Sequence, residues 1–197
     1  MNLNIPFEFK KSTQALNYLA HLNHGSISKL RAMKLIFFAD RFHLRKYGRF
    51  ITNANYVAMK LGPVPSEVLN IADSNFDTVA EREYANTFIS TSNTNIKTVN
   101  KVQTEVFSET DREALLYVWK KFGHCTRLPD LTHRFPEWRK HEADFKSGIK
   151  RKHIKIEDFL ENAPDDLEYC PKLSEDDKSL LLEQIRYAAS IYASFRR

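Results

Sequence analysis

Apolar residues recur along this chain at two spacings: steps of three and four in long stretches, and short β-branched or aromatic runs between them. From Lys11 to His24, Leu16, Leu19, Ala20 and Asn23 fall on one helical face. Ser12 or Thr13 is expected to cap that helix and Gly25 to stop it. A second helix should follow Ser28, run from Lys29 to Tyr47 and end at Gly48. Its middle, Leu35 to Ala39, is apolar on nearly every side, the mark of a helix buried all round, so it is placed at the centre of the core.

Tyr56-Val57-Ala58-Met59-Lys60 reads as a strand ending at Gly62-Pro63. Pro63 and Pro65 are then expected at the start of a helix carrying Val68, Leu69 and Ala72, where a missing N–H costs little. Phe88 to Val102 predicts a β-hairpin turning near Ser92 to Asn95. Ser108-Glu109-Thr110-Asp111 is a helix start with an acid three positions past the cap. The helix it opens shows Leu115, Val118, Trp119 and Phe122 on one face, with Gly123 as its stop. Short helices are expected at Leu128–Thr132 and Ile156–Leu160, with Phe135-Pro136-Glu137-Trp138 opening another turn between them. A final one begins at Ser174 with Glu175, Asp176 and Asp177 in its first turn and Arg196-Arg197 at its end, both suited to the helix dipole. Leu181, Ile185, Ala188, Tyr192 and Phe195 should form its packed face.

Composition narrows the class. The 197 residues are 42% hydrophobic and 12% aromatic, enough for one good core, and no Gly/Ser- or Pro-rich linker divides them. No charged-then-apolar leader opens the sequence and no window approaches a membrane span, so the reading is a soluble cytoplasmic protein without membrane insertion. Two cysteines, Cys125 and Cys170, stand far apart and outside any Cys-x-x-Cys pair, which argues against a disulfide framework and a zinc site. The net charge of +5 is concentrated in a basic block from Arg134 to Lys155, followed by an acidic block from Glu157 to Glu168. Adjacent blocks of opposite sign can dock on each other or face a partner. The basic block lacks interleaved aromatics and a helix-turn-helix pattern, which argues against nucleic acid, although an autoregulatory role through residues 134–155 stays open as an alternative.

The search for chemistry is largely negative. No nucleophile elbow, Walker loop, dinucleotide-binding glycine pattern or zincin helix is present, and no cofactor is expected. Adjacent His124 and Cys125 diverge, and His21 with His24 is a weak metal signal on a solvated face. Asp40 and His43, spaced i, i+3 on the buried helix, share a face with Ile36 and Tyr47. Such a pair can orient a general base in a small enzyme, or it can pin the helix to the strand-and-proline segment. No nucleophile stands at a diagnostic spacing, which favours the second role.

At this point the residues carry a resemblance. The run Lys34 to Thr52, with Phe38-Ala39-Asp40-Arg41-Phe42-His43-Leu44 and Tyr47-Gly48-Arg49 at its heart, resembles the signature of the SocA-like, or Panacea, antitoxin domain. Tyr56-Val57-Ala58-Met59 with Gly62-Pro63-Val64-Pro65-Ser66 is similar to a second motif of that family, and Leu131-Thr132-His133 with Pro136 and Trp138 to a third. Phe50 stands where the family often has Pro, and Glu137 where it often has Ala. The resemblance implies a type II antitoxin, some relatives of which are phage-associated. It would bind a cognate protein toxin directly, in one branch as an adaptor to a AAA+ protease. It assigns Asp40, His43, Tyr47, Gly62, Pro63, Pro65, His133 and Trp138 to a structural signature and none to catalysis or metal binding.

The expected fold is mainly helical α+β, built round the Leu30–Tyr47 helix with a small antiparallel sheet from the Tyr56 and Phe88–Val102 segments. Residues 1–140 are read as the Panacea domain and 141–197 as a C-terminal extension whose final amphipathic helix packs on the same body. In that extension and just before it, Arg139, Lys140, Arg151, Tyr187 and Tyr192 are the candidate partner anchors, since Arg and aromatic side chains dominate binding energy.

Overall fold

A computed structural model describes residues 5–167 and 169–194. It is a mainly helical α+β fold organised around α2 (Lys29–Tyr47). The Ser28 hydroxyl caps this helix by accepting from the Arg31 N–H, and Gly48 ends it in the left-handed region. Every residue from Ala32 to Arg45 is buried. The apolar belt explains why the helix sits at the centre. It also forces a problem, because Lys34, Asp40, Arg41, His43 and Arg45 are buried with it, and buried charges need partners.

Around α2 pack α1 (Phe9–Leu22), α3 (Ser66–Ala72), α5 (Glu109–Phe122) and α6 (Leu128–Thr132), with α5 making the longest contact. Ser108 and Asp111 cap α5 reciprocally, as their spacing predicts. Phe38 stacks on Phe122 with ring centroids 4.4 Å apart and meets Tyr169 edge-on at 5.4 Å, so an aromatic cluster joins α2, α5 and the C-terminal segment.

Six short strands form two antiparallel sheets rather than the single one expected from the Tyr56 and Phe88–Val102 segments. In one, β5 (Asn95–Thr98) lies between β1 (Ser26–Ser28) and β4 (Ile89–Thr91); the predicted hairpin is β4–β5, and β1 was not anticipated. In the other, β2 (Tyr56–Met59) lies between β3 (Gly62–Pro65) and β6 (Arg151–His153). The two prolines are therefore strand residues, with the α3 helix opening only at Ser66. Both are tolerated because β3 is an edge strand. The Ser66 N–H donates to the Asn55 carbonyl at 2.8 Å, which makes the neighbouring Pro65–Tyr56 and Pro63–Ala58 positions the non-hydrogen-bonded ones of the ladder.

Other departures have local causes. α1 starts at Phe9, so Ser12 and Thr13 are buried inside it and the Thr13 hydroxyl bonds back to the Phe9 carbonyl. α4 (Val79–Phe88) was unforeseen, although Thr78 and Glu81 form a capping box at its start. Gly123 is right-handed at φ −58°; it ends α5 where a Cβ would lie 2.4 Å from the Trp119 carbonyl oxygen. Beyond α7 (Pro136–Arg139) and α8 (Glu142–Lys146), the Ile156–Leu160 turn is a 3₁₀ helix. The last helix, α9 (Glu175–Ser194), buries only Ile185; Leu181 and Ala188 are half-buried and Tyr192 is exposed, so the predicted packed face is narrower than its periodicity suggests. Glu168, Phe195, Arg196 and Arg197 lie outside the described residues.

Candidate partner-binding surface

The polar side chains of α2 each reach a different part of the chain. The Asp40 carboxylate accepts from the Ile51 N–H at 2.7 Å, the Thr52 N–H at 3.1 Å, the Tyr56 hydroxyl at 2.8 Å and the Thr52 hydroxyl. Burial pushes this carboxyl up to about 6, and the four donors oppose the rise, so it is ionised at neutral pH. His43 does not touch it. Its Nδ1 bonds the Arg49 carbonyl at 2.8 Å and its Nε2 meets the Thr110 hydroxyl at 2.9 Å. A carbonyl can only accept, so Nδ1 carries the proton and Nε2 accepts. Burial lowers His43 to about 4, which keeps it neutral although Asp111 lies 3.2 Å away. Asp40 thus ties α2 to the segment leading into β2, and His43 ties it to the start of α5. Two groups with separate full sets of partners are not a base-and-orienter pair.

The remaining signature residues, and the buried pair Arg41 and Glu137 beside them, also face inward or against neighbours. Arg41 and Glu137 form an ion pair of 2.8 Å with both side chains fully buried, and Arg41 also lies over the Phe135 and Tyr169 rings. Tyr47 donates to Glu113 across the helix-to-helix gap. Trp138 Nε1 donates to the Met59 carbonyl at 2.7 Å, and His133 stacks on the indole at 3.7 Å. Gly62 combines φ +103° with a space in which a Cβ would lie 2.3 Å from Thr132 Oγ1 and 3.0 Å from Lys34 Nζ. Lys34 Nζ reaches the Pro63 carbonyl at 2.7 Å, and burial lowers its ammonium to about 7. The register explains that bond: Pro63 sits at a non-hydrogen-bonded position, so its carbonyl points away from β2.

Three concavities on the outer surface differ in their lining. One, of about 540 Å³, lies among Arg134, Arg139, Lys140, Asp158 and Glu161. There the opposite charge blocks dock on each other, through Arg134 with Asp166 and Lys140 with Asp158. A second, of about 120 Å³, lies under α9 between Phe50, Ile185 and Tyr192. The third, of about 430 Å³, is bounded by the start of α2, the β2–β3 turn and α3, and its walls are almost wholly apolar. None of the three is lined by Asp40 or His43.

The five candidate anchors do not gather in one patch. Arg139 and Lys140 share the charged groove, and Tyr192 edges the small cleft. Tyr187 stands 70% exposed on the outer side of α9, and Arg151 on β6 bonds the Ser66 hydroxyl. Sequence reasoning missed Leu30 and Leu61, exposed at 42% and 54% on the rim of the apolar groove. The signal was present in Lys60-Leu61-Gly62, where a large apolar residue occupies a turn with no core to enter.

Among the described residues no group of three or more His, Cys, Asp or Glu is placed to hold a metal ion, and no helix is long and apolar enough to cross a membrane. A family model described as "Antitoxin SocA-like, Panacea domain" matches residues 32–139, more than half of the 197. No curated protein and no solved structure matches the chain.

Proposed function

The chain belongs to the SocA-like antitoxin family with a Panacea domain, and from that premise we propose that it neutralises a cognate protein toxin by direct contact, in the cytoplasm and without catalysis of its own. The observation that carries this reading is the inward engagement of the family's polar signature. Asp40, His43 and Trp138 are spent on bracing, and Asp40 and His43 are closed to solvent. A substrate would find no free base there. A protein partner would instead meet exposed apolar side chains such as Leu61 and Tyr187, which are costly to leave in water and profitable to cover.

The nucleic-acid alternative loses support in the same way. Arg134, Lys140, Lys146 and Lys152, four of the eight Lys and Arg side chains of the basic block, pair with Asp166, Asp158, Glu142 and Asp144, which reduces the charge available to release counterions from a phosphate backbone. The test is co-expression with the product of the neighbouring reading frame. Growth arrest by that product alone, rescue by this chain, and co-purification of the two are the expected results. Rescue without physical association would refute neutralisation by contact.

A further inference from the structure

We infer that the apolar groove between α2, the β2–β3 turn and α3 is the docking site for the toxin, and that it takes an amphipathic segment with bulky apolar anchors flanked by carboxylates. This deepens the antitoxin reading and rests on it. Met33 and Val64 are almost fully buried and make the floor, while Leu30 and Leu61 stand out from the rim. A hollow of about 430 Å³ with protruding leucines is shaped to receive side chains and to pack its edges against a second surface. Met33 and Met59 give the walls a polarizable, adaptable lining.

Charge identifies the occupant. The polar residues lining the groove are Lys29, Lys34 and Lys60, and no carboxylate lines it. Lys29 is neutralised by Asp73 at 2.6 Å. Lys34 is sealed beneath Gly62 and bonds the Pro63 carbonyl. Lys60 is exposed and, among the described residues, has no carboxylate within ion-pairing distance. Nearby Arg31 spends its guanidinium on the Gly123 and Cys125 carbonyls rather than on an acid. The rim therefore presents the uncompensated ammonium of Lys60 beside an apolar slot, and an amphipathic segment that sets a carboxylate against it complements both features. The same face of a second copy does not, since its lining holds no carboxylate to set against Lys60.

The test uses the full-length chain and the neighbouring toxin, with Leu61→Asp, Leu30→Asp and Lys60→Glu as groove variants. Val79→Asp, on the exposed start of α4, and Tyr187→Asp, on α9, serve as comparisons. Circular dichroism and the melting midpoint show which variants remain folded; the chosen side chains are exposed, so all should. Leu61→Asp and Leu30→Asp should weaken toxin association at least tenfold and abolish rescue, as loss of a central anchor does. Lys60→Glu should slow association and reduce its salt dependence. Val79→Asp should behave as wild type. Wild-type association and rescue retained in both leucine variants would overturn the groove assignment while leaving neutralisation intact, as would loss confined to Tyr187→Asp. A free protein that is dimeric and becomes monomeric in Leu61→Asp would assign the groove to a second copy and overturn the proposal. Failure of the wild-type chain to associate with the toxin would overturn the antitoxin reading itself.

Discussion

Asp40 separates a bracing role from a catalytic one by stability alone. Asp40→Ala removes the acceptor of two backbone N–H groups, at Ile51 and Thr52, that are fixed in place and cannot re-aim. It also frees the Thr52 and Tyr56 hydroxyls, which can rotate toward other acceptors. A buried donor left unsatisfied costs about 1–3 kcal/mol, so the two amides with a small share from the hydroxyls give a loss of about 4 kcal/mol. For a chain of this length that lowers the melting midpoint by roughly 8–16 °C. Differential scanning calorimetry at pH 7.5 measures it directly. A catalytic carboxylate poised in a cleft would show the reverse, unchanged or improved stability on removal, so a midpoint within 2 °C of wild type would refute the bracing argument.

The pH arm sharpens the test. Because burial raises Asp40 above its ordinary value to about 6, the folded state holds a proton that the unfolded state releases between roughly pH 4 and 6. Stability through this group therefore increases as pH falls across that window. His43, lowered to about 4, acts in the opposite sense: the unfolded chain binds a proton below about 6.5 and the fold does not, so stability is lost as pH falls. The two nearly cancel in the wild-type chain. Asp40→Asn removes the compensation, and its stability should drop steeply from pH 6 to pH 4. A profile parallel to wild type would show that these two groups do not set it.

Lys34→Met should stabilise the fold by roughly 2 kcal/mol at pH 6, because the ammonium is buried against a single carbonyl, and the gain should shrink toward pH 10 as the wild-type amine loses its proton in the unfolded chain too; denaturant titration at both pH values measures it. Glu137→Ala removes the carboxylate paired with the buried Arg41 guanidinium and should cost about 3–5 kcal/mol, whereas Arg41→Met with Glu137→Leu should recover much of that loss; additive single-mutant effects in the cycle would contradict a coupled pair. Trp138→Leu removes the donor to the Met59 carbonyl and the ring on which His133 and Phe145 stack, and should lower the melting midpoint by about 5–10 °C.

The legible parts of this fold were those whose signals are local. Ser28, the apolar run of α2 and Gly48 define that helix within the sequence itself, and the Ser108–Asp111 spacing defines the start of α5. What was not legible depended on partners distant in the chain. Whether Gly62–Pro65 is a strand is decided by its pairing with β2, and β1 exists only because β5, about seventy residues later, lies beside it. α4 was overlooked for a different reason: its faces bury only Ala85 and Phe88, so the apolar period is weak and only the cap announces it. The same limit applies to the surface. Residue type alone points to Arg and Tyr as anchors, but the apolar groove is an arrangement of Leu30, Met33, Leu61 and Leu69 from three elements, and no spacing in the sequence brings them together.

The distribution of partners along α2 bears on how the fold can tolerate change at its surface. Lys34 reaches β3, Asp40 the approach to β2, Arg41 α7, His43 the start of α5, and Arg45 the carbonyls of Phe159 and Leu160. A purely apolar central helix would be held in register by shape alone, and apolar cores can repack in more than one way when volume and patterning are kept. Here any rotation by one residue would strand five ionisable groups at once, and each stranded group costs several kcal/mol. The register of α2 is therefore held by polar contacts that take nothing from the outside of the molecule. Substitutions at Leu30, Lys60, Leu61 or the outer side of α9 leave that bracing untouched, so the surface can change without putting the scaffold at risk.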